Sequence, residues 1–294
     1  MVVAVLAGSA AGCAGGTAPA PPRPTAAAPT SAARAAEPTA PGTATGTATG
    51  TVTGVAPGAA PRPALAARGA AADAYAAGRP GVTGIVVRDR QTGEVWRNAS
   101  AGAHFRAAST VKLAIAVDLL TRARTGEIQL GPVDEIALQN MIISSDNAAT
   151  DRLWARFGGP EIGARFSAYG LTGATGITAW GTLRCSPDDL ERLVSYVLER
   201  TDPADRTTLV GLLRGVTAKQ RWGVLGLAAA ARPGAKNGWT PSPGGWAVDT
   251  AGFAGPAERY TVVVMTDLSG TSGDLAAGVR TVTGTVTTLF LGLL

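Results

Sequence analysis

The sequence predicts an α+β fold, an α/β sandwich in which a five-stranded antiparallel sheet is flanked by helices and joined by a helical subdomain. Two observations predict it: strand-like segments lie near both ends of the region that contains aromatic residues, and helix-like segments fill the interval between them. Strands so far apart in the chain can form one core only by pairing in a shared sheet, with the helices packed against it.

The segment before this region predicts a tether. The first aromatic residue is Tyr75, and residues 14–65 are dominated by Ala, Pro, Thr and Gly, with Thr-x-Thr-Gly repeated between Thr43 and Gly54. Such a segment cannot bury enough apolar surface to offset its chain entropy. We therefore expect a disordered linker; a sugar-decorated Thr/Pro stalk is the alternative.

Residues 1–13 (MVVAVLAGSAAGC) resemble the end of a secretory signal peptide, because an apolar run ends in small residues before Cys13. Residues 10–13 (AAGC) resemble a bacterial lipobox, which would make Cys13 the lipidated residue. The alternative is an Ala-rich tail without a targeting role. We expect an exported protein, anchored by lipid to the outer face of the cell membrane or secreted.

Composition argues against several classes of function. The net charge of +5 comes largely from scattered Arg without a basic run, so nucleic-acid binding is not predicted. No Cys, His and carboxylate cluster has metal-ligand spacing, so we expect neither a metal nor a cofactor. If Cys13 is lipidated, Cys185 has no disulfide partner. The lone His104 is expected at the surface, and the chain is expected to be a monomer.

The folded region is predicted to run from residue 66 to residue 294. Apolar periodicity and capping residues predict helices at 68–78, 109–124, 132–143, 147–157, 160–169, 186–200, 205–215 and 275–294. Alternating apolar segments bounded by turn residues predict strands at 81–90, 93–98, 232–240, 245–251 and 259–266. A cleft between the sheet and the helical middle is the expected place for a site.

Ser109-Thr110-Val111-Lys112 opens the predicted buried helix. Residues three apart on a helix share a face, so Ser109 and Lys112 can share a hydrogen bond. A serine hydroxyl needs a base to become a good nucleophile, and a buried Lys can be that base because desolvation lowers its pKa. The helix amino terminus would also favour a developing oxyanion.

Lysine is rare in this chain. Only Lys112, Lys219 and Lys236 are lysines among 26 basic residues, and two of them fall in the motifs singled out here. Because Arg does not lose its proton, a base at position 112 has to be Lys. At position 236, Lys could be a compact donor for a substrate carboxylate.

Two further motifs complete a set: residues 145–147 (SDN) in a predicted turn between helices, and residues 236–238 (KNG) on a predicted strand. Each motif alone is an ordinary helix surface, cap or turn. In this order they match the trio of penicillin-recognising serine enzymes, with Asn237 in place of Thr. The chain resembles the class A β-lactamase and D-alanyl-D-alanine peptidase superfamily over about residues 68–294. Other segments that resemble the family are 105–112 (FRAASTVK), 141–150 (MIISSDNAAT) and 261–266 (TVVVMT).

The resemblance implies a role for each residue of the set. Ser109 would be acylated, with Lys112 as acylation base or proton relay, and Ser145 would pass a proton to the leaving group. Lys236 would support Ser145 and attract the substrate carboxylate. The residues that would contact the substrate are Asn147, Asn237, Gly238 and Trp239, and the N–H groups of Ser109 and Trp239 would form the oxyanion hole.

The implied function is hydrolysis of a β-lactam or related amide, with a role in antibiotic resistance. One alternative is a D-alanyl-D-alanine carboxypeptidase, or another cell-wall amidase or esterase, acting on a peptidoglycan peptide. The other is a penicillin-binding or sensing lipoprotein without turnover.

Three departures from the family pattern bear on these roles. The interval from Ser109 to Ser145 is shorter than in the family, which would trim one wall of the cleft. Trp239 stands where the family has a small or hydroxyl residue, so it would crowd the site or stack on a substrate. The family's deacylating Glu belongs in the loop before the helix at 186, and residues 170–186 contain no carboxylate. The sequence supports acylation of Ser109 and provides no acid in that loop for deacylation.

Overall fold

The structure, a computed structural model, describes residues 64–294. The predicted lipobox, Cys13 and the linker up to residue 63 lie outside the described residues. The strands are β1 (Val82–Asp89), β2 (Val95–Arg97), β3 (Phe105–Arg106), β4 (Arg184–Cys185), β5 (Gly234–Ser242), β6 (Gly245–Ala254) and β7 (Tyr260–Asp267). The longer helices are α1 (Leu65–Ala77), α2 (Lys112–Arg124), α3 (Pro132–Ile143), α4 (Asn147–Arg156), α5 (Gly159–Ala164), α6 (Pro187–Glu199), α7 (Pro203–Arg214) and α8 (Leu275–Phe290).

Five strands form one antiparallel sheet in the order β2-β1-β7-β6-β5. This confirms the predicted fold class. β1 pairs with β7 along its whole length, from Val82 opposite Asp267 to Asp89 opposite Tyr260, so strands from the two ends of the folded region meet in the middle of the sheet. β5 is an edge strand, and one side of its backbone is therefore open to whatever lies beside it.

Different helices pack against the two faces of the sheet. In β7, Val264 faces a core with α1 and α8, while Val263 faces the core that contains α2 and α6. Successive side chains of a strand point to opposite faces. In β5, Ala235 belongs to the α8 core, so Trp239 also lies on that face and Lys236 lies on the α2 face. The alternation separates the predicted site residues of β5 into two groups.

Several predicted elements have different bounds in the structure. Ser109 lies in a 3₁₀ turn, Ala108–Val111, and α2 begins only at Lys112. The helix predicted at 160–169 divides into the short α5 and a 3₁₀ turn, consistent with the low helix propensity of Gly163 inside α5. The last helix ends at Phe290 because Gly292, with φ of 66°, is in the left-handed region that terminates helices.

A short ribbon that the sequence did not predict ties the segment before Ser109 to the long loop after α5. Phe105 pairs with Cys185 and Arg106 with Arg184, and Ala107 N–H donates to Leu183 O at 3.0 Å. The 3₁₀ turn of Ser109 therefore starts from a fixed position. Among residues 64–294 no helix is long and apolar enough to cross a bilayer.

Candidate active site

The three sequence motifs meet at Ser145. Lys112 Nζ donates to Ser145 O and to Asn147 Oδ1, both at 2.7 Å, and makes a longer contact of 3.5 Å with Ser145 Oγ. Lys236 Nζ donates to Ser145 Oγ at 3.0 Å and to Asn237 O at 2.9 Å. A helix, a turn and an edge strand thus each supply one part of a single polar cluster.

The backbone around Ser145 is set by its position between α3 and α4. Ser145 has φ of 59°, a left-handed conformation that costs a residue with a side chain about 1–2 kcal/mol. α4 begins directly afterwards, with Asp146 as its N-cap accepting from Ala149 N–H at 3.0 Å. The cap fixes the turn, and the turn directs both the carbonyl and the hydroxyl oxygen of Ser145 at the lysines.

Both lysines are fully buried. Burial lowers the pKa of Lys112 to about 8, although the carboxylates of Asp146 and Asp151 favour its charged form. Burial, and then repulsion by Lys112, holds the pKa of Lys236 well below its ordinary value. Their hydrogen bonds go to carbonyl, amide and hydroxyl oxygens, which stabilise an ammonium less than a carboxylate does. A neutral amine is therefore accessible at position 112 near neutral pH.

Ser109 is half-buried, one turn before the lysine. Within residues 64–294 no hydrogen bond joins the Ser109 hydroxyl to Lys112, in contrast to the expectation from the Ser-x-x-Lys spacing; Lys112 donates to Ser145 and Asn147 instead. Carbonyl and amide oxygens are good acceptors for a desolvated ammonium. Catalytic hydrogen bonds are often loose in ligand-free sites and tighten in the complex.

The edge strand passes directly beside the Ser109 turn. A Cβ added at Gly238 would lie 2.9 Å from Ala107 O and 3.0 Å from Ser109 N, so only glycine leaves room for this approach. The Ser109 N–H group and the backbone of β5, which continues into Trp239, therefore lie side by side.

Asn237 does not face this cluster. It is fully buried; its Nδ2 donates to Gln220 O at 2.8 Å and Trp222 O at 3.1 Å, and its Oδ1 accepts from Thr250 Oγ1 at 2.7 Å. Strand alternation places it on the α8 face, opposite Lys236. We expected Asn237 to contact the substrate. Its side chain instead makes hydrogen bonds to the segment before β5.

Trp180 is a site residue that sequence reasoning missed. Its ring centroid lies 4.8 Å from Lys112 Nζ, and its indole N–H donates to Asp151 at 2.8 Å. It belongs to the loop in which the resemblance places a carboxylate, so here an indole rather than an acid covers the lysine. A lone Trp among Gly, Thr and Ala residues was the signal available in the sequence.

The same loop is anchored to α6 through Asp189. Ser186 and Asp189 form a capping box, and Asp189 also accepts from Gly173 N–H at 3.0 Å. Burial works to raise the pKa of Asp189, but hydrogen bonds from the backbone of Ser186 and Gly173 outweigh it and lower the pKa below its ordinary value. This acid therefore holds the loop in place as a capping residue.

Other candidate groups lie apart from the cluster. His104 is exposed, as expected for a surface residue. Cys185 is a buried free cysteine, and burial raises the pKa of its thiol. In the described part of the chain, no group of three or more His, Cys, Asp and Glu side chains is arranged to hold a metal ion.

Comparison with known proteins gives consistent matches. The sequence matches the family described as "Beta-lactamase enzyme family" over residues 67–133 and 134–286. It is 30% identical over 220 residues to "Putative lipoprotein LppW" of Mycobacterium tuberculosis and of Mycobacterium bovis, covering 70% of this chain and 68% of the relative.

Solved structures share the fold. A β-lactamase from Chitinophaga pinensis matches with a TM-score of 0.67 and 16% identity, over 76% of this chain and 98% of its own. A β-lactamase from Sphaerobacter thermophilus matches with 0.63 and 21%, over 77% and 97%. PBP-A matches with 0.65 and 20%, over 78% and 96%.

Proposed function

The chain belongs to the beta-lactamase enzyme family, and on that premise we propose that it is a serine hydrolase that forms a covalent acyl-enzyme on Ser109. The observation that carries the proposal is the convergence of two buried lysines, from α2 and β5, on the hydroxyl of Ser145 beside the Ser109 turn. Desolvating two ammonium groups is costly, and a purely structural cluster would not need them so close together.

This arrangement supports the following route to acylation. Ser109 Oγ attacks the carbonyl carbon of an amide, and its proton moves to the neutral amine of Lys112. The N–H groups of Ser109 and Trp239 stabilise the oxyanion. When the C–N bond breaks, the leaving nitrogen takes a proton from Ser145, and Ser145 regains one through Lys112 or Lys236. Lys236 also attracts a carboxylate of the substrate, and the amide of Asn147 holds the substrate backbone.

Deacylation is the slower half of the reaction. The loop at 170–186 contains no carboxylate to activate water, and Trp180 covers Lys112 from that loop. An indole offers a water molecule no basic atom. The acyl group is therefore expected to stay on Ser109 longer than it would if a carboxylate were positioned to activate water.

The substrate class is a β-lactam or a related acyl amide. The missing carboxylate specifically favours a second candidate, a D-alanyl-D-alanine carboxypeptidase or another cell-wall amidase or esterase acting on a peptidoglycan peptide. A sensing lipoprotein that acylates without turnover is the third.

The relative named a lipoprotein supports an exported chain anchored to the membrane through lipid on Cys13. The composition of residues 14–65 suits a tether between such an anchor and the enzyme.

The test compares the full chain with Ser109→Ala, using a chromogenic cephalosporin and a fluorescent penicillin. We expect a stable fluorescent label on the wild-type chain, at most slow colour release, and neither with Ser109→Ala. Rapid, sustained colour release would show a fast lactamase and contradict the slow deacylation.

Absence of label on a folded wild-type chain would refute recognition of β-lactams, and equal labelling of Ser109→Ala would refute acylation at Ser109. An intact-mass increase equal to one opened β-lactam, mapped to the peptide that contains Ser109, is the positive identification.

A further inference from the structure

A large groove lies on the α8 face of the sheet, beside the candidate site. Its volume is about 1210 Å³, above the roughly 300–1,000 Å³ of most small-molecule pockets. Three half-buried indoles line it: Trp222, Trp239 and Trp246. Trp222 and Trp239 meet edge to face, with centroids 6.0 Å apart, and so present a fixed aromatic corner.

The groove adjoins the candidate site at Ser144 and at β5. Trp239 supplies a backbone N–H on the site's edge strand and an indole in the groove, and Ser144, directly before Ser145, is also part of its wall. The buried side chain of Asn237 holds the carbonyls of residues 220 and 222, which fixes the groove wall to β5. A substrate lying across β5 could therefore reach Ser109 with one part and the indoles with another.

The wall of the groove also contains a buried polar atom without a hydrogen-bond partner among the described residues. Gln220 is 5% exposed, and its Oε1 has no hydrogen-bond partner within residues 64–294, while its Nε2 makes only a long contact of 3.4 Å with Thr217 Oγ1. Leaving a buried amide atom unpaired costs about 1–3 kcal/mol. Gln220 lines the groove, so a ligand with hydrogen-bond donors there could supply the missing partner. Lys219 and Asp274 add charged groups at the rim.

We infer that the tryptophan groove binds an N-acylated pyranose ring, so that the natural substrate is an acyl amide that carries a glycan. The inference rests on the proposed function for the position of the reacting bond. A pyranose presents an apolar C–H face that stacks on an indole, and its hydroxyl and N-acyl N–H groups supply the donors that Gln220 lacks. The charged rim suits the same polar groups.

A plain hydrocarbon chain fits the groove less well. It would cover the three indoles but leave the Gln220 oxygen unpaired. The lining therefore favours a ligand that is apolar on one face and polar at its edges.

The binding test uses triacetylchitotriose, a soluble trimer of N-acetylglucosamine, with the full chain and isothermal titration calorimetry. We expect saturable binding, weaker binding of maltotriose, which lacks the N-acyl groups, and no competition by decanoate. Trp246→Ala should lower the association constant at least about tenfold, corresponding to about 1.4 kcal/mol, and Trp246→Phe should restore part of it. Gln220→Leu should abolish the preference for the N-acyl sugar over maltotriose.

Trp96→Ala is the matched control, since Trp96 is another half-buried indole packed on the α8 core but lies outside the groove. Binding to Ser109→Ala should equal binding to the wild type, which separates failure of the groove from failure of the acyl-enzyme.

Lack of saturable chitotriose binding by the wild type would overturn the inference. Binding that survives both Trp246→Ala and Gln220→Leu, or tighter binding of decanoate than of the sugar, would also do so. If Trp246→Ala fails to fold, Gln220→Leu and the sugar comparison on the wild type decide the outcome.

Discussion

At the scale of single residues, the main feature of the candidate site is a pair of buried lysines around one serine. Lys112 and Lys236 are both fully buried, and both contact Ser145. Burial disfavours the charged form of both, and the charge of Lys112 further disfavours that of Lys236. The left-handed backbone of Ser145 positions their shared acceptor. Strained residues of this kind cluster at functional sites, which agrees with the role proposed for Ser145.

The pH dependence of acylation tests the role of Lys112. Its pKa in the folded chain is lowered to about 8, so the neutral amine becomes the main form above that pH rather than above the ordinary value of 10.5. We therefore expect the rate of labelling by the fluorescent penicillin to rise from pH 6, with its midpoint near pH 8, and to level off about one pH unit higher. Stopped-flow labelling across this range measures it.

Lys112→Arg should lower the labelling rate by about 10²–10⁴-fold and remove the rise, because Arg keeps its proton. Arg200→Lys, the reverse exchange at an exposed position after α6, is the control and should leave the profile unchanged. A rise near pH 8 that persists in Lys112→Arg would assign the base to another group.

At the scale of elements, two contacts assemble the site: β5 against the 3₁₀ turn of Ser109, and the loop after α5 against α6. β5 can make the first contact because it is the edge of the sheet and carries Gly238 where the backbones meet. The second depends on Asp189, which binds the N–H groups of both Ser186 and Gly173. Neither contact involves the atoms proposed to react, and both help to fix the positions of the segments that carry them.

Gly238→Ala tests the first contact. The added methyl group would lie 2.9–3.0 Å from backbone atoms of residues 107–110. Backbone atoms cannot move aside as the end of a flexible side chain can. We expect the labelling rate to fall at least about 100-fold, because displacements near 1 Å in a catalytic site have effects of that size. Unfolding free energy should fall by about 1–3 kcal/mol.

Gly211→Ala is the matched control for this change. Gly211 lies in α7 with nothing within 4 Å of a new Cβ, so Ala there should raise the unfolding free energy by about 0.5–1 kcal/mol and leave labelling unchanged. If the Gly238→Ala variant is labelled at the wild-type rate, β5 and the Ser109 turn need not lie so close for acylation.

At the scale of the whole molecule, the sheet divides two tasks between its faces. The α2 face carries Lys236 and the approach to Ser109, while the α8 face carries the tryptophan groove. The edge strand β5 belongs to both. A substrate that spans this edge would place its reacting bond on one side and its recognition group on the other.

The proposed anchor adds a prediction about the location of the full chain. Expressed in a bacterial host with an alkyne fatty acid, the wild-type chain should carry the lipid label and sediment with membranes, and Cys13→Ala should lose both properties. Cys185→Ala is the control, because Cys185 is the other cysteine of the sequence and is buried in the fold. Retention of the label by Cys13→Ala would contradict anchoring at Cys13.

The fold was largely predictable from the sequence because the strands of the five-stranded sheet and the longer helices left local signals. The strands were marked by apolar segments between Gly and Pro, and α6 by the Ser186-Pro187 start and the acids that follow. The exact start of α2 and the β3–β4 ribbon were not predicted, since a 3₁₀ turn and a two-residue strand are too short to show a period.

The sequence by itself determined the family and the antiparallel sheet and singled out Ser109, Lys112, Ser145 and Lys236 as the candidate set, because these depend on residue type and on order along the chain. Only the tertiary structure decided what each side chain faces. It directs Asn237 away from the lysines, places Trp180 over Lys112 and gathers three tryptophans into one groove. Contacts between residues distant in sequence depend on how strands alternate and how loops are anchored, and a linear pattern of residue types carries no record of that geometry.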